Sequence, residues 1–138
     1  MIHQYIRELE QFIESREEII DLEIIRHSIR ETEFEIILIY RYKLLLEDKS
    51  SIELTERLIE KNNQLTRTKY SYHWQTERGN LIKRWDNAPH HPEIATSPHH
   101  LHTTKEVLPH NEIDGLEALK RILDEYHNLQ QSTSQKSS

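Results

Sequence analysis

The 138-residue chain has no cysteine. Disulfides and thiolate metal sites are therefore excluded, and a metal would need His, Asp or Glu ligands. No run of eighteen apolar residues occurs, so no transmembrane helix is expected. A basic start followed by an apolar block is also missing. The opening "MIHQYIRELEQFIESREE" is amphipathic and carries acids, unlike a secretory signal, and a cytoplasmic location is the resulting expectation. What remains is one domain's length of soluble-type composition, 35% hydrophobic and 30% charged, sufficient for one modest core.

Positive charge is scarce overall. The formal net charge of −6 argues against general coating of nucleic acid. The deficit lies at the ends, however. Between Leu65 and His91, five cations (Arg67, Lys69, Arg78, Lys83, Arg84) face two acids (Glu77, Asp86), so the middle of the chain is locally basic.

Hydrophobic spacing organises the rest. Ile2, Tyr5, Ile6, Leu9, Phe12 and Ile13 recur at helical intervals and predict an amphipathic helix over 2–13. The next stretch, "DLEIIRHSIRETEFEIILIYRYKLLLED", is β-branched and aromatic, which favours strands around a turn at "RETE". From Phe34 the even positions Phe34 to Leu46 are all apolar or aromatic. Ile37 and Ile39 add apolar odd positions, predicting cover on both faces of the first half. "DKSS" and "KNNQ" read as turns on either side of "SIELTERLIE". In "LTRTKYSYHWQ", Thr68, Tyr70, Tyr72 and Trp74 share one face; Arg67, Lys69, Ser71, His73 and Gln75 share the other. "TERGN" turns the chain into "LIKRWD". The aromatic face fits a half-buried strand better than a platform for stacked bases. Finally, "GLEALKRILDEYHNL" puts Leu116, Leu119, Ile122, Leu123 and Tyr126 on one helical face, and the polar tail over 131–138 is expected to be disordered.

The histidines and prolines are unevenly spent. "RWDNAPHHPEIATSPHHLH", from Arg84 to His102, holds five of ten histidines and three of four prolines. Pro89, Pro92 and Pro98 exclude a regular helix or central strand there, since each removes a backbone donor and fixes φ. An internal, proline-split segment is not a purification tag. It reads as a restrained loop leaving a strand, a common place for function.

Two chemistries compete for it. His99, His100 and His102, with Glu93 or Asp86, supply enough ligands for a divalent transition metal such as zinc, although no HExxH or comparable spacing is present. Without a metal, two imidazoles pair as base and acid near neutral pH. RNA cleavage uses that pairing, with a cation to stabilise charge at phosphorus. Arg67, Lys69 and His73 share a strand face, and Arg84 lies on the next strand. Bland roles also exist: Asp86-Asn87 before a proline is a frequent turn former, some loop histidines must be solvated spectators, and His3, His27 and His127 read as surface or packing residues.

The stretch "YSYHWQTERGNLIKRWDNAPHHPEIATSPHHLH", Tyr70 to His102, strongly resembles the signature of the TumE family of toxins from bacterial and archaeal toxin–antitoxin pairs. That signature has a Y-x-Y-H-x-Q strand, a glycine turn, an R-[WY]-D-N-A-P-H-H-P block and a terminal H-H-x-H. The resemblance implies a small cytoplasmic toxin, neutralised by an antitoxin encoded beside it. Its matched polar positions are His73, Gln75, Arg84, Asp86, Asn87, His90, His91, His99, His100 and His102. Lys83 departs from the family pattern, where an apolar residue is frequent.

The expectation is thus a single α+β domain over 1–130. An N-terminal helix, a meander of about five antiparallel strands, a His/Pro-rich loop and a C-terminal helix compose it. Its function is expected to be that of a toxin, hypothetically a metal-independent endoribonuclease acting on RNA. The candidate catalytic residues are His73 with His90 or His91, Arg84 on the phosphate and Asp86 orienting an imidazole. Arg67, Lys69, Gln75 and Asn87 are the candidate substrate contacts, and His99, His100 and His102 the candidate metal ligands. A homodimer is compatible with this reading. The competing class is a non-enzymatic or metal-stabilised binding protein that docks through the His/Pro loop.

Overall fold

Apolar alternation through the first two thirds of the chain becomes one continuous antiparallel sheet. The computed structural model describes residues 1–89 and 97–136. Helix α1 (Ile2–Ser15) precedes strands β1 (Ile19–Glu31), β2 (Ile36–Leu46), β3 (Ser51–Lys61), β4 (Gln64–Gln75), β5 (Leu81–Asp86), β6 (His100–Thr103) and β7 (Val107–Pro109), and α2 (Gly115–Lys136) closes the chain. Every strand pairs antiparallel with the next, in the order β1 to β7. The architecture is α+β as expected, with seven strands rather than about five. The two added strands are four and three residues long, too short to show alternation, and β7 ends at Pro109, a residue tolerated at a sheet edge.

Both helices lie on one face of the sheet. Ile2, Ile6, Leu9 and Ile13 of α1 and Ala118, Leu119, Ile122, Leu123 and Tyr126 of α2 are buried against the even-numbered face of β2 to β4. Leu38, Tyr40, Tyr42, Leu44 and Leu46 alternate into this core, as do Ile52, Leu54 and Leu58. Tyr70, Tyr72 and Trp74 follow on β4, so the aromatic face of that strand is core. Phe34, expected on the same face, precedes β2 in the turn and is 76% exposed. Ile37 and Ile39, on the opposite face, are half-buried.

Turn chemistry sets the register. Asn62 and Asn63, both at positive φ, make the two-residue connection of β3 to β4, matching the twist of a tight hairpin. Gly79 at φ 88° turns β4 into β5. The helical segment α2 continues to Lys136, into the stretch expected to be disordered.

Candidate functional site on the open face of the sheet

The pleat of β4, β5 and β6 sorts the signature residues onto two faces. Cα partners across the three strands are His73, Arg84 and His102 in one row and Ser71, Asp86 and His100 in the next. These rows lie on the face away from the helices. Tyr72, Trp85 and Leu101 form the intervening row on the core side. A basic residue therefore stands between two histidines, directly above a carboxylate.

Asp86 is the centre of the arrangement and is 4% exposed. Its Oδ2 accepts from Arg84 Nε at 2.7 Å, and its Oδ1 accepts from the Ala88 amide at 3.1 Å. His100 Nε2 lies 2.7 Å from Oδ1 and His102 Nε2 3.4 Å from Oδ2. The two imidazoles meet edge to face at 4.7 Å. His100 Nδ1 is 2.7 Å from the Pro98 carbonyl oxygen. A carbonyl only accepts, so Nδ1 carries a ring proton and Nε2 is turned towards the carboxylate. With a second ring proton this is an ion pair; with a lone pair it is the posture of a metal ligand. His100 is 2% exposed, whereas the His102 side chain is 22% exposed. The His102 ring is therefore the one open to solvent, and His100 stands behind it.

On the other side of Arg84, its Nη1 donates to His73 Nδ1 at 3.4 Å, while His73 Nε2 is 2.9 Å from Gln75 Oε1. Nε2–H donating to Gln75 leaves Nδ1 as the acceptor. Gln75 thus orients His73. Asn87 ties the end of β5 to β4: its Oδ1 accepts from the Tyr70 amide at 3.0 Å and its Nδ2 donates to the Thr68 carbonyl at 3.1 Å.

His99 parts company with His100 and His102. One residue earlier on an extended chain means the opposite face, and its ring stacks on Tyr70 at 5.8 Å with Nδ1 2.8 Å from the phenol oxygen. Among the described residues, ligand atoms of Asp86, His100 and His102 lie within 4.8 Å of one another, close enough to hold one metal ion. His90, His91 and Glu93 lie outside the described residues.

Arg67 is also separated from the polar face expected for it. Arg57 pairs with Lys69 and Leu58 with Arg67, so a bulge at Thr68 breaks the alternation. Lys69 stays on the open face. Arg67 turns to the helix side, 10% exposed, and donates through Nε to Glu56 Oε1.

Glu56, which the sequence reading passed over, is fully buried. Tyr5 and Tyr40 donate their hydroxyls to Oε2; Tyr72 donates to Oε1 at 2.8 Å. The Gly115 amide at the start of α2 adds a bond at 3.3 Å. A Cβ on Gly115 would stand 2.5 Å from the Tyr40 oxygen, which explains a glycine there. Burial and the Glu56 charge push the Tyr5, Tyr40 and Tyr72 phenols upward, so they remain donors. The signal in the sequence was an acid within the core-facing series Ile52, Leu54, Glu56, Leu58.

Among the described residues no helix is long and apolar enough to cross a membrane. Searches of curated proteins and of solved structures found no match to this chain. The family model described as Toxin TumE matches residues 8–130, a span that takes in α1 from its second turn, the whole sheet and most of α2. The chain belongs to the TumE toxin family.

Proposed function

We propose that the toxin is a small endoribonuclease whose reaction centre is the row His73–Arg84–His102, neutralised in the cell by an antitoxin encoded beside it. The cross-strand order of that row carries the reading. Adjacent strands are about 4.8 Å apart, so a phosphate held by Arg84 has an imidazole on each side. One imidazole takes the proton of the ribose 2′-hydroxyl as that oxygen attacks phosphorus. The other gives a proton to the departing 5′-oxygen, leaving a 2′,3′-cyclic phosphate and a free 5′-hydroxyl. Arg84 stabilises the charge that accumulates on the phosphoryl oxygens. Asp86 and the buried His100 fix Arg84 and His102 from behind. The expected pairing of His73 with His90 or His91 falls outside the described residues, and His102 takes the second place in this proposal.

The test is induction of the toxin with and without the neighbouring gene, followed by assay of purified protein on RNA. His73→Ala and His102→Ala are each expected to lower cleavage by on the order of 10²-fold or more and to relieve growth arrest, with the circular dichroism unchanged. Two protonation states of imidazole predict a bell-shaped rate profile between about pH 5 and 8. Arrest that survives both substitutions sinks this reading and favours a toxin that acts by docking.

A second reading rests on the Asp86, His100 and His102 cluster. Two imidazoles and a carboxylate suit a divalent transition metal such as zinc, which when bound would polarise a phosphoryl oxygen as a Lewis acid. Cleavage abolished by EDTA and restored by zinc favours it; cleavage indifferent to EDTA favours the imidazole pair alone.

A further inference from the structure

The open face continues beyond the histidines. From Asp86 the row of Cα partners runs through Ser71, Thr55 and Arg41 to Arg26. The neighbouring row joins Lys69 to Arg57 and Ile39. Arg26, Arg41, Arg57 and Lys69, from four different strands, line one groove of about 410 Å³ with Ile25 and Ile39 in its lining. Beside the groove Glu53 pairs with Arg41, and Glu56 in the lining is committed to Arg67 on the core side. Arg57 gives one bond, at 3.0 Å, to Thr68 Oγ1 and has further N–H groups to offer. Four cations against two acids, each acid already paired, is a local reversal of sign in a chain of net charge −6.

We infer that this groove is a track for the sugar–phosphate backbone of single-stranded RNA, leading to the His73–Arg84–His102 row. The inference rests on the proposed ribonuclease reading and names where the rest of the substrate lies. Four strand spacings separate Asp86 from Arg26, roughly 19 Å at about 4.8 Å each, the reach of a few nucleotides. A groove with cations spaced along it follows a polyanion, and its continuity with the reaction row favours the substrate over an acidic protein segment. The open-face positions of β1 to β5 hold no Phe, Tyr or Trp among the described residues. Bases therefore have no aromatic ring to stack on there, and binding should depend on salt more than on sequence.

The test uses a fluorescent 2′-O-methyl oligonucleotide of about ten residues, a length within the site sizes of charged single-strand grooves, so that binding is read without cleavage. Anisotropy is followed over a salt series. The native chain is expected to bind, with a log–log salt slope of about −0.7 for each phosphate contacted. The Arg26→Gln/Lys69→Gln double variant should bind about tenfold more weakly at low salt and lose roughly 1.4 of that slope, two phosphate contacts' worth. Lys120→Gln, which removes an exposed cation of α2 on the opposite side of the sheet, should bind as the native chain does. Unchanged affinity and slope in the double variant overturns the track, as does failure of the native protein to bind at low salt. Loss of neutralisation by the antitoxin, with oligonucleotide binding intact, also overturns it and assigns the groove to that partner. Binding by the track without cleavage of ordinary RNA defeats the ribonuclease reading and leaves the track standing.

Discussion

Asp86 sits at the last position of β5 and touches three neighbours that the proposed chemistry uses: Arg84, His100 and His102. A carboxylate so placed costs desolvation, which the Arg84 guanidinium and the Ala88 amide offset. Asp86→Asn keeps the shape and removes the charge. An amide nitrogen facing Arg84 or an imidazole N–H cannot accept, so one of those partners is released. The expected outcome is a loss of cleavage on the order of 10²- to 10⁴-fold, as for other carboxylates that orient a catalytic imidazole, with little change in oligonucleotide affinity. Single-turnover rates on RNA check it, and a variant within threefold of the native rate would remove Asp86 from the mechanism.

At the scale of elements, the site depends on where strands break their own rhythm. The signature residues of β4 and β5 were legible because Tyr70 to Gln75 alternate without interruption, and the face assignment follows from parity. Arg67 was not legible. Its parity matches Lys69, and only pairing with β3 reveals the bulge that reverses it. His99 and His100 differ for the related reason that β6 is too short to announce itself. A further element-level tie lies outside the site: Glu18, just before β1, accepts from Arg16 at 2.7 Å and lies 2.5 Å from His127 of α2. Burial pushes the Glu18 carboxyl upward, but the bonds from Arg16 and His127 outweigh it and the net shift is downward. A lowered folded value means stability that is complete above the ordinary glutamate value of about 4.3 and is lost as pH falls through the lowered one. Glu18→Gln should therefore unfold at lower urea than the native chain at pH 7, with the gap closing towards pH 3. A gap that stays constant with pH would show that the ion pair contributes nothing.

Over the whole molecule, Glu56 does what the hydrophobic core cannot. It receives bonds from α1, β2, β4 and the start of α2 at a single carboxylate, fixing both helices against the sheet. Removing it as Glu56→Ala takes the buried carboxylate from Arg67 and the acceptor from the Tyr5 and Tyr40 phenols, while Tyr72 can still donate to the Ile113 carbonyl at 2.9 Å. The expected cost is about 3–5 kcal/mol, a large share of the roughly 5–15 kcal/mol of a typical domain. The urea midpoint measures it, and a loss under about 1 kcal/mol, the worth of an exposed pair, would overturn the role given to Glu56. The phenols supply a second check. All six tyrosines are shifted upward, with burial the largest cause in each. Their contribution to stability is complete below the ordinary phenol value of about 10 and falls as pH rises above it. Tyrosinate absorbance should thus appear together with loss of circular dichroism in alkaline titration; ionisation well before unfolding would contradict the burial.

The sequence by itself determined the helices, the antiparallel order, the turns and the cluster of polar residues from His73 to His102. Those features follow from local periodicity, turn chemistry and an extended motif, all of which act over a few neighbouring residues. Tertiary structure alone decided which of those residues meet. Register across β4, β5 and β6 placed Arg84 between His73 and His102, sent His99 to the core side and set Asp86 beneath. It also brought Glu56 to Arg67 and aligned Arg26 with Arg41 from distant strands. Such pairings depend on which backbone groups bond across a sheet, and no stretch of one strand records its partner's register.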